Sequence, residues 1–226
     1  ESVAKQTIPP EKYEILVCDD GSKKETARVV FEFIKSHPEN LIRYYYHKNG
    51  GPAKARNTGI KHAKGEIIFL TDDDCIVPEN WMEKLLDGYK RYPDAVGVGG
   101  WYKPANEKLA QKYFQKYLDF LERNSDLSDT ETLTNIFTVS FVGNTANMSY
   151  KKSVLEETGG FDEKFTFPGA VDWELKRNIQ DRGYQLLYIP IMVGHKKEFD
   201  FGVFAKKYFN QGKGRCSASC DKHSSS

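Results

Sequence analysis

The stretch "IIFLTDDDCIVP", residues 67–78, runs from four apolar residues straight into three acids. The apolar run is short and β-branched at its start, which predicts a buried strand. At an effective dielectric of about 20, two carboxylates ~5 Å apart repel by roughly 3 kcal/mol. Crowding Asp72, Asp73 and Asp74 at a strand end therefore calls for a compensating charge. One Asp is enough to cap the helix that follows. A run of acids suits a hard cation, since Mg²⁺ and Mn²⁺ take oxygen ligands and leave room for phosphates. A solvated loop is the plainer alternative.

The same alternation of strand and helix extends outward from this point. "YEILVC" (13–18) predicts a strand, followed by "DDGS" and a helix whose Ser22 and Glu25 have capping-box spacing. Ala27, Val30, Phe31 and Ile34 give that helix its apolar positions. "LIRYYYH" (41–47) predicts a strand, and "NGG" a turn before a helix over 52–63 opened by Pro52. A helix over 79–91, a Gly-weakened strand over 95–100 and an amphipathic helix over 107–123 come after the acids. Residues 124–135 read as a mobile polar loop and "IFTVSFVG" as a strand. Short helices follow in "KKSVLEETGG" and "AVDWELKRNIQDRG", and the strand "YQLLYIP" comes last. This order predicts an α/β layer fold, a single domain with a mostly parallel central sheet flanked by helices. Ligands collect at the carboxyl ends of strands in such sheets, where both acidic clusters sit.

Bulk properties narrow the field. The 226 residues are 39% hydrophobic and 13% aromatic, which suits a packed core. A net charge of +1 gives no electrostatic case for nucleic acid. No apolar run approaches the ~20 residues of a membrane span. Cys18, Cys75, Cys216 and Cys220 form no CxxC or zinc-finger spacing and read as free thiols. Asn147-Met-Ser matches a glycosylation triplet, which is common by chance.

Two further groups carry chemistry. Asp19 and Asp20 either make a turn and helix cap or accept hydrogen bonds from a base edge or ribose. "GGPAKARNTG" (50–59) places Lys54, Arg56 and Asn57 in the first turns of a Gly-led helix. Helix N-termini favour anions, and Arg recognises them bidentately. Acids for base and ribose, a cation for a diphosphate and Arg beside it together describe a nucleotide-diphospho-sugar site.

Four ordered segments carry a family resemblance: "YEILVCDDGS", "GGPAKARNTGIKHAKGEIIFLTDDDCIVPENWMEKL", "FVGNTANMSYKKSVLEETGGFDEKF" and "DWELKRNIQDRGYQLLYIPIMVGH". Together they resemble the family 2 glycosyltransferases, inverting enzymes of Rossmann-like GT-A fold that use nucleotide-diphospho sugars and a divalent metal. The resemblance implies that Asp19 and Asp20 contact the base, that Arg56 and Asn57 lie near the nucleotide, and that Asp72 serves the ribose. It implies Asp73, Asp74 and His195 as metal ligands for Mn²⁺ or Mg²⁺, with Asp73 also beside the donor. Asp172 is the implied catalytic base, with Asn144 and Trp173 on the acceptor side. The implied partners are a nucleotide-diphospho-sugar donor, with a UDP-sugar favoured, and a saccharide or lipid-linked acceptor. The implied place is the cytoplasm, at the inner face of the membrane.

The resemblance spans residues 1–215, leaving 216–226 as a flexible tail. The family's first strand has no counterpart, since "ESVAKQTIPP" resembles the end of the helix after it; this reads as a fragment. The basic aromatic segment "FGVFAKKYFNQGKGR" is either a peripheral membrane contact, a flap over the donor or a plain surface helix. A nucleotide-sugar-binding protein without turnover and a nucleotidyltransferase are the alternatives.

Overall fold

The structure, a computed structural model, describes residues 1–105, 131–134, 145–164 and 170–196. Strands β1 (Glu14–Asp19), β2 (Leu41–Tyr46), β3 (Ile67–Leu70) and β4 (Cys75–Ile76) are followed by β5 (Ala95–Pro104) and β6 (Thr132–Thr134). Strands β7 (Met148–Lys151) and β8 (Gln185–His195) complete the set. The helices are α1 (Lys24–Ser36), α2 (Pro52–His62), α3 (Trp81–Arg91), α4 (Lys152–Thr158) and α5 (Ala170–Asp181). The expected 107–123 helix, the "IFTVSFVG" strand and the basic aromatic segment lie outside the described residues.

The α/β class and the single domain are as expected, but the strand directions are mixed. The larger sheet runs β3-β7-β5-β8-β4, with β6 also on β8, while β1 and β2 form a separate pair. Among the described residues only β1–β2 and β5–β8 are parallel; β3–β7, β5–β7, β4–β8 and β6–β8 are antiparallel. The expectation of a mostly parallel sheet fails because β7 inserts between β3 and β5 against their direction, a distant pairing that no local pattern encodes. Part of the expected polar loop is likewise a strand, β6, which lies on β8. Among the described residues β1 pairs only with β2 and β3 only with β7, so each keeps an open edge.

Strand β8 explains why its sequence reads as a continuous apolar run. Leu186 and Tyr188 join one core cluster, Leu187 and Ile189 the other, so helices cover both faces. The first cluster gathers Ala53 and Ile60 of α2, Val154 of α4 and Leu175 of α5 around Met148 and Tyr150. The second packs Trp81, Met82 and Leu85 of α3 against Val98 and β8. Each such side chain contributes about 1.5–3 kcal/mol when fully buried. No helix among the described residues is long and apolar enough to cross a membrane.

A buried amide ties the sheet to α3. Asn147 is fully buried; its Oδ1 accepts from Trp81 Nε1 at 2.8 Å, and its Nδ2 donates to the carbonyls of Trp101 at 2.6 Å and Ile191 at 2.9 Å. That network spans the irregularity between Gly99 and Trp101, where β5 shifts register along β8. At Gly100 a Cβ would stand 2.3 Å from the Ile191 carbonyl oxygen, so only glycine fits. The glycosylation triplet is thus a core feature, with its amide wholly engaged.

The end of β1 is held by its own acids. Asp19 accepts from the Ser22 N–H at 2.7 Å and the Tyr44 hydroxyl at 2.5 Å. Asp20 accepts from the Gly50 and Gly51 N–H groups at 2.7 and 2.8 Å. The expected Ser22–Glu25 capping box does not form: α1 starts at Lys24 with no side-chain cap, because the Ser22 N–H is given to Asp19. Burial alone would raise the Asp19 carboxyl, but Tyr44, Ser22 and Gly21 together outweigh it and hold it below its ordinary range.

Two expectations follow for stability. Asn147→Ala leaves one buried N–H and two carbonyls without their partner, at about 1–3 kcal/mol per group, so urea unfolding reads a loss of at least about 3 kcal/mol. Asp19 has a depressed folded pKa, so its contribution is complete above the unfolded value and is lost as pH falls through the folded one. Asp19→Asn therefore lowers unfolding free energy by about 1–2 kcal/mol at neutral pH. The gap to wild type closes as pH drops below about 4.

Candidate active site

The start of α2 is fixed before its side chains are placed. Pro52 occupies its first turn, Gly51 precedes it at φ 92°, and Asp20 holds the amides of Gly50 and Gly51. One turn in, Arg56 points across the molecule. Its guanidinium donates to Asp172 Oδ1 at 3.2 Å and to Thr145 Oγ1 at 2.6 Å, and stands 3.6 Å from Asp72 Oδ1. The Phe161 ring lies beneath it at 5.4 Å. One arginine thus brings together the acid after β3, the acid opening α5 and the segment before β7.

Asp172 sits in the first turn of α5, where the helix dipole favours a negative charge. Its Oδ2 accepts from both the N–H and the hydroxyl of Thr145, at 3.2 and 3.0 Å. The carboxylate is therefore aimed by three donors. Lys176, one turn further along α5, has its ammonium pKa pushed down to about 8 by burial, with the Asp172 charge opposing.

Asp72 links this group to the next. Burial pushes its carboxyl up, Asp172 and Asp74 add to the rise, and Arg56 and His195 oppose it. Beyond it, Asp74 Oδ1 lies 3.5 Å from His195 Nε2 at the end of β8. Cys75 joins them: one ligand atom from each of Asp74, Cys75 and His195 falls within 4.8 Å of the others. Burial pushes the Cys75 thiol up to about 11, with Asp72 and Asp74 adding to it. Asp73 is exposed and stands outside that group. An acid, a thiol and an imidazole on adjacent atoms are a set able to hold a divalent ion, so the residues present fit a metal here.

The other expected residues have partners within the fold wherever they are described. The oxygens of Asp19 and Asp20 are engaged with Tyr44, Ser22 and the 50–51 amides, so they shape the loop ahead of α2. Asn57 donates to the Phe161 carbonyl at 2.8 Å and to Glu163 at 2.9 Å, and accepts from the Phe161 N–H at 2.9 Å. It fastens α2 to the 160–163 turn, where a Cβ on Gly160 would come 2.7 Å from its oxygen. Trp173 is half-buried beside Asp172, with Arg177 over its ring at 5.4 Å. Asn144 lies outside the described residues. Thr145 and Cys75 are the members that the sequence did not single out; both stood inside quoted motifs, next to the residues chosen. A groove of about 510 Å³ between α3 and β8, lined by acids and bases such as Glu83 and Lys84, shares no residue with the cluster.

Comparison with known proteins places the chain in a family and a fold. The family model for glycosyl transferase family 2 matches residues 1–159. Glycosyltransferase AglE of Haloferax volcanii is 28% identical over 215 residues, covering 95% of this chain and 66% of that protein. Among solved structures, the mannosyltransferase PcManGT from Pyrobaculum calidifontis, in complex with GDP-Man and Mn²⁺, superposes with a TM-score of 0.66 at 22% identity. That match covers 91% of this chain and 53% of the other. GalNAc-T7 with UDP, GalNAc and Mn²⁺ gives a TM-score of 0.66 at 19% identity, covering 88% and 40%. These likenesses show the GT-A-like fold. The chain spans 66% of AglE and about half or less of the two structures. The family match runs unbroken from the acids of β1 through Arg56 and the 72–74 acids to Thr145 and α4, and on that span the chain belongs to glycosyl transferase family 2.

Proposed function

We propose that this chain is the donor-binding and catalytic domain of an inverting glycosyltransferase, moving a sugar from a nucleotide-diphospho sugar to a saccharide or lipid-linked acceptor. The observation that carries this reading is the convergence of Arg56, Asp72 and Asp172 from three separate elements. Family membership supports the class of reaction. Neighbours solved with GDP-Man or UDP and with Mn²⁺ support the donor class and a divalent ion.

Arg56, which holds Asp172 and Asp72 in this structure, turns part of its positive charge to the diphosphate when the donor binds, and Asp72 lies beside it for the ribose. Asp172 takes the proton of the acceptor hydroxyl. The acceptor oxygen bonds to the anomeric carbon from the face opposite the leaving group. The bond from that carbon to the diphosphate oxygen breaks, the nucleoside diphosphate leaves with the electron pair, and the configuration inverts. Thr145 keeps Asp172 oriented throughout. Asp74 and His195, with Asp73 exposed beside them, would hold Mn²⁺ or Mg²⁺, and such an ion would supply charge compensation for the diphosphate. Asp19, Asp20 and Asn57 serve the donor through the loop and helix that they fasten. Trp173 and Asn144 belong to the acceptor side. Residues 1–215 are the extent of the proposed domain, and the basic aromatic segment near its end is either a peripheral membrane contact or a flap over the donor.

A donor-binding protein without turnover is the second reading, favoured by one observation: both Asp172 oxygens are engaged by Arg56 and Thr145. Asp172→Asn separates the two. Under the proposal, transfer falls by about 10²–10⁴-fold while donor binding by calorimetry is kept; normal turnover in this variant removes Asp172 from the mechanism. A thermal-shift screen of nucleotide sugars with and without Mn²⁺ tests the donor class. Saturation at ~100 times Kd adds about 2.7 kcal/mol of stability. A shift that needs both sugar nucleotide and metal supports the reading, and none with any donor overturns it.

A further inference from the structure

Cys75 is the member of the Asp74–Cys75–His195 group that a site for hard ions does not need. Its place is set by the backbone rather than by a loose side chain. Cys75 and His195 are cross-strand partners in the antiparallel β4–β8 ladder, which puts their side chains on one face. The ladder continues through the Lys196 N–H to the Asp74 carbonyl at 2.8 Å, and the Ala105 N–H fixes the His195 carbonyl at 2.8 Å. The imidazole is buried, with the Tyr102 ring 5.5 Å away. The sulfur stands 3.9 Å from Asp74 Oδ1, which in turn is 3.5 Å from His195 Nε2. Zn–S and Zn–N bonds of about 2.3 and 2.0 Å put tetrahedral ligand atoms roughly 3.5 Å apart, so only a small inward movement closes these three on one ion.

We propose that Asp74, Cys75 and His195 form a thiolate-containing site for Zn²⁺ and similar thiophilic divalent ions, overlapping the place of the hard ion. Oxygen and imidazole ligands serve Mn²⁺ or Mg²⁺, whereas sulfur selects Zn²⁺ and Co²⁺. As the metal–sulfur bond forms, the thiol proton passes to the buffer. Three protein ligands leave one tetrahedral position for water. Because Asp74 and His195 serve both kinds of ion, a thiophilic ion excludes the hard one. The overlap with a hard-ion site rests on the proposed function; the site itself does not.

The test is spectroscopic and needs no donor. Cys18, Cys216 and Cys220 are replaced by serine in the full chain, leaving Cys75 as its thiol. Titration with Co²⁺ is expected to raise a thiolate-to-cobalt charge-transfer band in the near ultraviolet that saturates at one equivalent and is erased by Zn²⁺. Adding Cys75→Ser removes the band and weakens Zn²⁺ binding by at least about tenfold, the lower end of what even outer-shell changes cost at metal sites. Thermal melts of both proteins establish that they are folded. No band, a band needing many equivalents, or a band that survives Cys75→Ser overturns the proposal. Metal-dependent binding of a sugar nucleotide, measured in parallel, separates the two claims: its loss with the band intact counts against the donor reading alone.

Discussion

Arg56 holds apart carboxylates that would otherwise repel one another. Asp72 follows β3 and Asp172 opens α5, and the guanidinium stands 3.6 and 3.2 Å from them. At an effective dielectric of about 20, opposite charges at ~4 Å attract by roughly 4 kcal/mol, comparable with the repulsion between neighbouring acids. The position of Arg56 is in turn a backbone matter. Asp20 and Gly51 set the entry of α2, and Asn57 fastens the helix to the turn after α4. A change at any of these reaches the acids through the helix, although none of them touches Asp172.

The scaffold beneath the site relies on a second constraint of the same kind. Asn147 satisfies a tryptophan N–H and two carbonyls in a place where water does not reach. Such a network is favourable only when every member is paired. Two residues before it, Thr145 turns its hydroxyl and N–H to Asp172. The segment before β7 thus anchors the sheet with one residue and aims the candidate base with another.

The two ends of the acidic run have different surroundings. Asp72 faces Arg56 and Asp172, where a phosphate-bearing ligand and a proton acceptor would meet. Asp74 faces His195 and Cys75, a softer set at the short β4–β8 pairing. Asp73 between them faces outward. Three adjacent aspartates therefore have different surroundings because successive residues at a strand end point in different directions.

Much of this was open to inspection in the order of residues. Apolar runs such as "EIIFL" and "YQLLYIP" gave strands because buried strands need little more than length and β-branching. Pro52 and the glycines at 51, 159 and 183 marked helix limits, since ring closure and positive φ act locally. The acids and Arg56 stood out as candidates by their crowding and their place at a Gly-led helix, and His195 by the family resemblance. What the tertiary structure alone decided is where distant partners meet. It set β7 against the direction of β3 and β5, paired Ser22 with Asp19 instead of Glu25, and consumed the oxygens of Asp19 and Asp20 inside the fold. It also brought Thr145 to Asp172 and Cys75 to His195. Apart from the local Ser22–Asp19 bond, those outcomes depend on register and on contacts across 27 to 120 positions of chain, where a slip by one residue turns every side chain to the other face.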